Sequence, residues 1–167
     1  NIIQNFGNIL SSVRALGIYS LYNNNLSISD NSINNSAGGG NAHGNTLYGI
    51  FVSSAFTVAN YLQSFSVTDN TITLLEAAVS SQVTGIKVGN SNIGATNISI
   101  TGNTIQNCAF TAGASGLFIG IEQEFDATSS QIINNTISNN TFNTTTVSPI
   151  YLIHDDNNSV TSTVTGN

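Results

Sequence analysis

The stretch "ISITGNTI" at residues 98–105 decides how this chain is read. Ile98 and Ile100 alternate with Ser99 and Thr101, the period-two pattern of a strand with one face turned inward. Gly102 and Asn103 interrupt the alternation with turn chemistry. Ile105 then restores an inward apolar residue two places past the Asn. The phrase predicts strand, tight turn, strand, with one apolar face running through all three.

It recurs as "LSISDNSI" at 26–33, "FSVTDNTI" at 65–72, "SQIINNTI" at 130–137 and, shortened, "STVTGN" at 162–167. Aligned on Asn31, Asn70, Asn103, Asn135 and Asn167, the spacings are 39, 33, 32 and 32 residues. A second phrase interleaves with it: "GIYS" from 17, "GIFV" from 49, "GIKV" from 85, "GLFI" from 116 and "PIYL" from 149. This phrase predicts another strand, with Ile18, Ile50, Ile86, Leu117 and Ile150 facing in. Two interleaved phrases at one period mark a repeat architecture. Placing the opening "NIIQNF" after the closing "TVTGN" nearly restores the first phrase, with Ile2 in the inward place after the Asn. The expectation is one unit of a longer tandem array, a mature piece or excerpt without Met or a visible signal peptide.

Several short strands per 33 or so residues, with no amphipathic helical stretch, predict an all-β parallel β-solenoid. It spans 1–167 as a single segment of about five coils. Stacking in register explains the aligned Asn, which tolerates a left-handed turn and can ladder with its neighbours. It also explains why only 6% of the residues are charged. Like charges repeated every ~4.8 Å would repel by about 0.9 kcal/mol in water and about 3.5 kcal/mol at an effective dielectric of 20.

Two basic residues against eight acidic ones leave a net charge of −6 and no basic patch for phosphate. Nucleic acid and anionic membrane surfaces are therefore not expected partners. The apolar runs are too short for a membrane-spanning helix, so no membrane insertion is expected. The single Cys108 allows neither an intrachain disulfide nor a cysteine metal site, and is expected to pack as a small apolar residue.

Three groups are candidate sites. The residues after the inward aliphatic of the second phrase, Tyr19, Phe51, Lys87, Phe118 and Tyr151, are expected to form one outward column. Exposed, it would stack on sugar rings or a partner surface; covered by the loops 53–64 and 120–130, it would be a satellite core. Asp30 and Asp69 align one residue before their Asn, and Glu122 and Asp155 align in the second phrase. Each pair is a weak Ca²⁺ candidate, and no other cofactor is expected. Glu122, Glu124, Asp126, Asp155 and Asp156, with His154, are the carboxylates a glycan-cleaving site would draw on. They carry no recognisable catalytic phrase, so an enzyme is not expected.

The "[IV]-[ST]-x-N-[ST]-I" phrase resembles the repeats of right-handed parallel β-helix proteins, the pectate-lyase-like superfamily, and the resemblance implies a right-handed coil. Asn- and Thr-rich tandem versions resemble the giant secreted adhesins of surface-colonising and gliding bacteria. That resemblance implies a structural repeat module of an extracellular, cell-surface filament serving adhesion or gliding motility. Its expected partners are neighbouring repeat units end to end and a surface polysaccharide. The alternatives are a carbohydrate-binding or polysaccharide-degrading β-helix, and a subunit that stacks non-covalently into a filament.

Overall fold

The computed structural model describes residues 1–21, 25–53, 64–77, 81–89, 95–114, 116–144 and 149–167. The 53–64 loop, one of the two that would cover the aromatic column if it is a satellite core, lies, apart from Ser53 and Ser64, outside the described residues.

Alternating phrases of this kind have no room for helices, and the described chain holds only one 3-10 turn, Ala37–Gly39. The rest is strand. Four parallel sheets form, each made of one strand per coil. Sheet A holds Ala15–Leu21, Leu47–Ser53, Gln82–Val88, Leu117–Gln123 and Ile150–Asp155. Sheet B holds Asn25–Ser29, Ser64–Thr68, Ala95–Thr101, Ala127–Ile133 and Thr161–Thr165. Sheet C holds Ile2–Gln4, Ser32–Asn34, Thr71–Thr73, Thr104–Gln106 and Thr136–Ser138. Sheet D is shorter: Leu75–Glu76, Ala109–Ala114 and Thr141–Thr144. In every sheet each strand pairs only with its equivalents in adjacent coils. The chain is thus a parallel β-solenoid of about four turns, where the repeat count suggested five coils.

The interior follows the alternation. Sheet B stacks Ile28, Val67, Ile100, Ile132 and Val164, and sheet C stacks Ile33, Ile72, Ile105 and Ile137. Ile33, Ile72, Ile100 and Ile105 are almost wholly buried. Phe65 stacks on Phe125 at 5.5 Å, and Phe118 meets Phe142 at 4.4 Å. Cys108 packs in this core, and burial pushes its thiol up to about 12.

The turn between sheets B and C is the most regular feature. Asn31, Asn70, Asn103 and Asn135 are buried, and their amides run along the axis as a ladder. Each donates its main-chain N–H (2.9–3.1 Å) and its Nδ2 (2.8–3.0 Å) to Oδ1 of the next rung, ending on Asn167. Nδ2 also reaches back to a carbonyl of the preceding coil, as from Asn103 to Val67 O at 2.8 Å. The ladder satisfies main-chain groups that a tight buried turn would otherwise strand.

Two expectations about this turn need correcting. The ladder Asn is not the left-handed residue. The one before it is: Asp30, Asp69, Gly102, Asn134 and Gly166 have φ of 54–68°. The Asn turns inward because its predecessor absorbs the backbone reversal. The start of the chain is also shifted by one residue from the expected register. Asn1 Nδ2 donates to Asn31 Oδ1 at 2.9 Å, so Asn1 is itself a rung. Ile3 pairs with Ile33, while Ile2 pairs with Ser32 and is 77% exposed.

Candidate functional site

The outer face of sheet A was expected to carry five aligned residues, and three of them align. Tyr19, Phe51 and Lys87 occupy one column. Beyond them the register departs from expectation, because Glu122 pairs with Lys87 and His154 with Glu122. The column therefore reads Tyr19, Phe51, Lys87, Glu122, His154. Phe118 faces the core and is fully buried, and Tyr151 stands in a different outer column with Tyr48, Thr84 and Ile119. Glycine occurs twice within five residues in this coil, at 116 and 120, and the strand takes the second as its repeat position. The equivalents of Ile18, Ile50 and Ile86 in the last two coils are accordingly Ile121 and Ile153, not Leu117 and Ile150.

The corrected column is a polar cluster. Lys87 Nζ lies 2.7 Å from Glu124 Oε1 and 2.9 Å from Glu122 Oε2, the latter an ion pair without hydrogen-bond alignment. His154 Nδ1 stands 3.8 Å from Glu122 Oε1. Lys87 and Glu122 are close to buried, at 11% and 7% side-chain exposure. Burial alone would lower the lysine pKa, but the two carboxylates outweigh it and hold it above the ordinary value. Stacking a cation on an anion avoids, by alternation of sign, the repulsion that like charges in successive coils would meet. Both carboxylates point at the ammonium rather than at an open groove. The aromatic end of the column is packed too: Phe51 is 3% exposed, in ring contact with Tyr19 and Tyr48, with the Arg14 guanidinium 5.8 Å from its centroid. Only Tyr19 remains substantially exposed there.

The Ca²⁺ candidates separate. Asp30 and Asp69 are exposed left-handed turn residues in adjacent coils. Asp69 Oδ1 lies where a Cβ on Gly102 would sit, 2.3 Å away, so the following coil makes room for the carboxylate with a glycine. Glu122 and Asp155 are not equivalent, since Asp155 pairs with Gln123. Its carboxylate takes bonds from Asn157 and from Ser162 Oγ at 2.6 Å. Among the described residues no group of three His, Cys, Asp or Glu converges on a metal position.

Three polar features escaped the sequence reading. Gln123 sits fully buried in the inward column of Val88, with Oε1 accepting from Phe125 N and Nε2 donating to Phe125 O and Ser130 Oγ. His43, at the end of the Gly-rich stretch "SAGGGNAHG" at 36–44, is also buried. Its Nδ1 accepts the Asn8 N–H and its Nε2 donates to Val13 O, each at 3.0 Å, which fixes a neutral ring with the proton on Nε2. Burial lowers its pKa, against the opposing pull of the Val13 carbonyl. The third is an open groove of about 410 Å³ on the outer face of sheet B, lined by Asn25, Ser27, Ser64, Ser66, Asn97 and Ser99 over Leu26 and Phe65. It carries no charge.

No family model, curated protein or solved structure matches the chain.

Proposed function

We propose that the chain is a stiff structural segment of a long, secreted, cell-surface filamentous adhesin, serving reach and attachment rather than catalysis. One observation carries the reading: an unbroken Asn ladder that joins Asn1, Asn31, Asn70, Asn103, Asn135 and Asn167 along the axis. A scaffold in which every coil repeats the same neutral, hydrogen-bonded turn is suited to bearing load along its length. The likeness of the repeat phrase to pectate-lyase-like β-helices and to the giant adhesins of gliding bacteria supports the same reading. So does the pairing of Glu122 and Glu124 with Lys87 instead of with each other across a cleft. In this reading the protein works outside a bacterial cell, with neighbouring units along the filament and a surface polysaccharide as its target.

The test is the mass of the native protein under full denaturation. A chain many times the 17.4 kDa of this segment supports the filament reading, and a band near 17.4 kDa refutes it. The groove on sheet B favours a second reading, a module that binds a neutral glycan. Shifts of the Ser27, Ser66 and Ser99 amides on adding a neutral oligosaccharide, absent with an acidic one, would support it.

A further inference from the structure

Sheet A carries Gly at one place in four successive coils, Gly17, Gly49, Gly85 and Gly120, each just before the aligned Ile18, Ile50, Ile86 and Ile121. In the next coil the aligned aliphatic is Ile153, and the residue before it is Leu152. The glycines are there for space. A Cβ on Gly17, Gly49, Gly85 or Gly120 would stand 2.7, 2.6, 2.6 or 2.5 Å from the carbonyl oxygen of the equivalent residue one coil on. It would also lie 2.6–2.8 Å from Ile33, Ile72, Ile105 or Ile137 of its own coil. An isoleucine can adjust its side chain; the carbonyl of a paired strand cannot withdraw without losing ladder bonds. A residue with a Cβ at this place is therefore incompatible with another coil laid over it in the running register.

We propose that Leu152 closes the C-terminal face of the solenoid to in-register addition, and that the occupant it excludes is a second copy of this chain. Three other features of the two end faces suit that occupant. The strand Ile150–Asp155 is a sheet edge with Ile150, Leu152 and Val164 half-exposed beside it. At the same end Asn167 presents the donor side of a ladder rung, while Asn1 at the other end presents the acceptor side. Asp155 and Asp156 lie at the C-terminal edge, and Arg14 lies next to the first strand of sheet A at the opposite edge. Complementary edges of this kind pair unless something prevents it, and a heterologous contact between them would not close. A single Cβ on Leu152 prevents it. The inference goes beyond the filament reading and holds whether or not that reading does. Where coils follow in one polypeptide, it places a break of register after Ile150–Asp155, so that an array would be a string of short rods rather than one continuous solenoid.

The experiment is sedimentation equilibrium of residues 1–167 as wild type, Leu152→Ala and Leu152→Gly. Ala keeps the Cβ and Gly removes it. Wild type and Leu152→Ala should sediment alike, and Leu152→Gly should associate at least tenfold more tightly, weakened again by adding Arg14→Glu. Equal association of all three, a folded Leu152→Gly that sediments like wild type, or a Leu152→Ala that matches Leu152→Gly would each overturn the proposal. Gly120→Ala tests the steric premise inside the stack. It should raise amide exchange of Ile150–Asp155 at least tenfold while leaving Leu47–Ser53 protected, and unchanged exchange at Ile150–Asp155 would defeat the argument.

Discussion

Replacing Asn103 by Ala removes one rung from the middle of the ladder. Its Oδ1 accepts the Asn70 N–H at 3.0 Å and Asn70 Nδ2 at 2.9 Å, and its Nδ2 donates to Val67 O at 2.8 Å and Asn135 Oδ1 at 3.0 Å. Not all of these groups are stranded by the change. Asn70 Nδ2 keeps Ile28 O and Thr68 O, and Asn135 Oδ1 keeps the Asn103 N–H. The groups that lose a partner are the Asn70 N–H and the Val67 carbonyl, both inside the turn. At about 1–3 kcal/mol for each buried group left unmade, the loss should be about 4 kcal/mol. Asn167→Ala makes the same deletion at an exposed rung, where water can replace the amide, and should lose about 1 kcal/mol. Urea unfolding followed by circular dichroism reads both values. Asn103→Asp adds a signed control. Its second oxygen would face the Val67 carbonyl and Asn135 Oδ1, so the folded state should hold the acid protonated, with its pKa raised. Stability should then be greatest in acid and fall as pH rises from about 4 towards that raised value. A loss at Asn103→Ala below about 1 kcal/mol, or equal to that at Asn167→Ala, would falsify the view that the buried ladder holds the turn.

The charge cluster predicts that Lys87→Met destabilises the fold by about 3 kcal/mol at neutral pH, because Glu122 is left buried without its cation, and that adding Glu122→Leu restores most of the loss. Because partners raise the Lys87 pKa, its contribution is complete below the unfolded value near 10.4 and is lost as pH climbs through the folded value; alkaline unfolding of wild type against the double variant measures this. A protonated His43 cannot accept the Asn8 N–H, so the protection of that amide relative to its intrinsic exchange rate should fall once pH drops below the ordinary imidazole range, burial having lowered this ring's pKa, and His43→Gln should abolish that loss of protection. The groups on this ring are the uncharged Asn8 N–H and Val13 carbonyl, with the Gly7 backbone against it, while Glu76 pairs with the His43 backbone. Cys108, fully buried with its thiol pushed up to about 12, should resist alkylation at mild alkaline pH in the folded protein and react fully in urea.

The fold was legible because stacking makes sequence periodicity and spatial register the same thing. One aligned Asn is enough to place Ile28, Val67, Ile100 and Ile132 in a column, as the sheet B pairings do. Sheet A was harder because coils there differ in length. "GLFI" and "GIEQ" begin four residues apart, and both satisfy the pattern. What separates them is that Phe118 fits the core against Phe142, a contact between distant parts of the chain. That ambiguity replaced two aromatic residues of the expected column with Glu122 and His154 and hid the pairing with Lys87. Gln123 and His43 were illegible for a related reason. Each is a buried polar residue whose partners, Ser130 or Asn8 and Val13, are set by coil geometry and not by spacing. Leu152 became informative only once the register was known, since as a residue before Ile153 it is an unremarkable leucine.

The proposal that this chain is a stiff rod carrying tension is tested most directly by stretching residues 1–167 from its two ends with an optical trap. A coil of about 33 residues, extended at about 3.5 Å per residue from a folded rise of about 4.8 Å, releases about 110 Å. The account predicts resistance in a succession of steps of that size, with Asn103→Ala selectively weakening the steps of the central coils. Extension in one low-force event, or a smooth lengthening without steps, would contradict it.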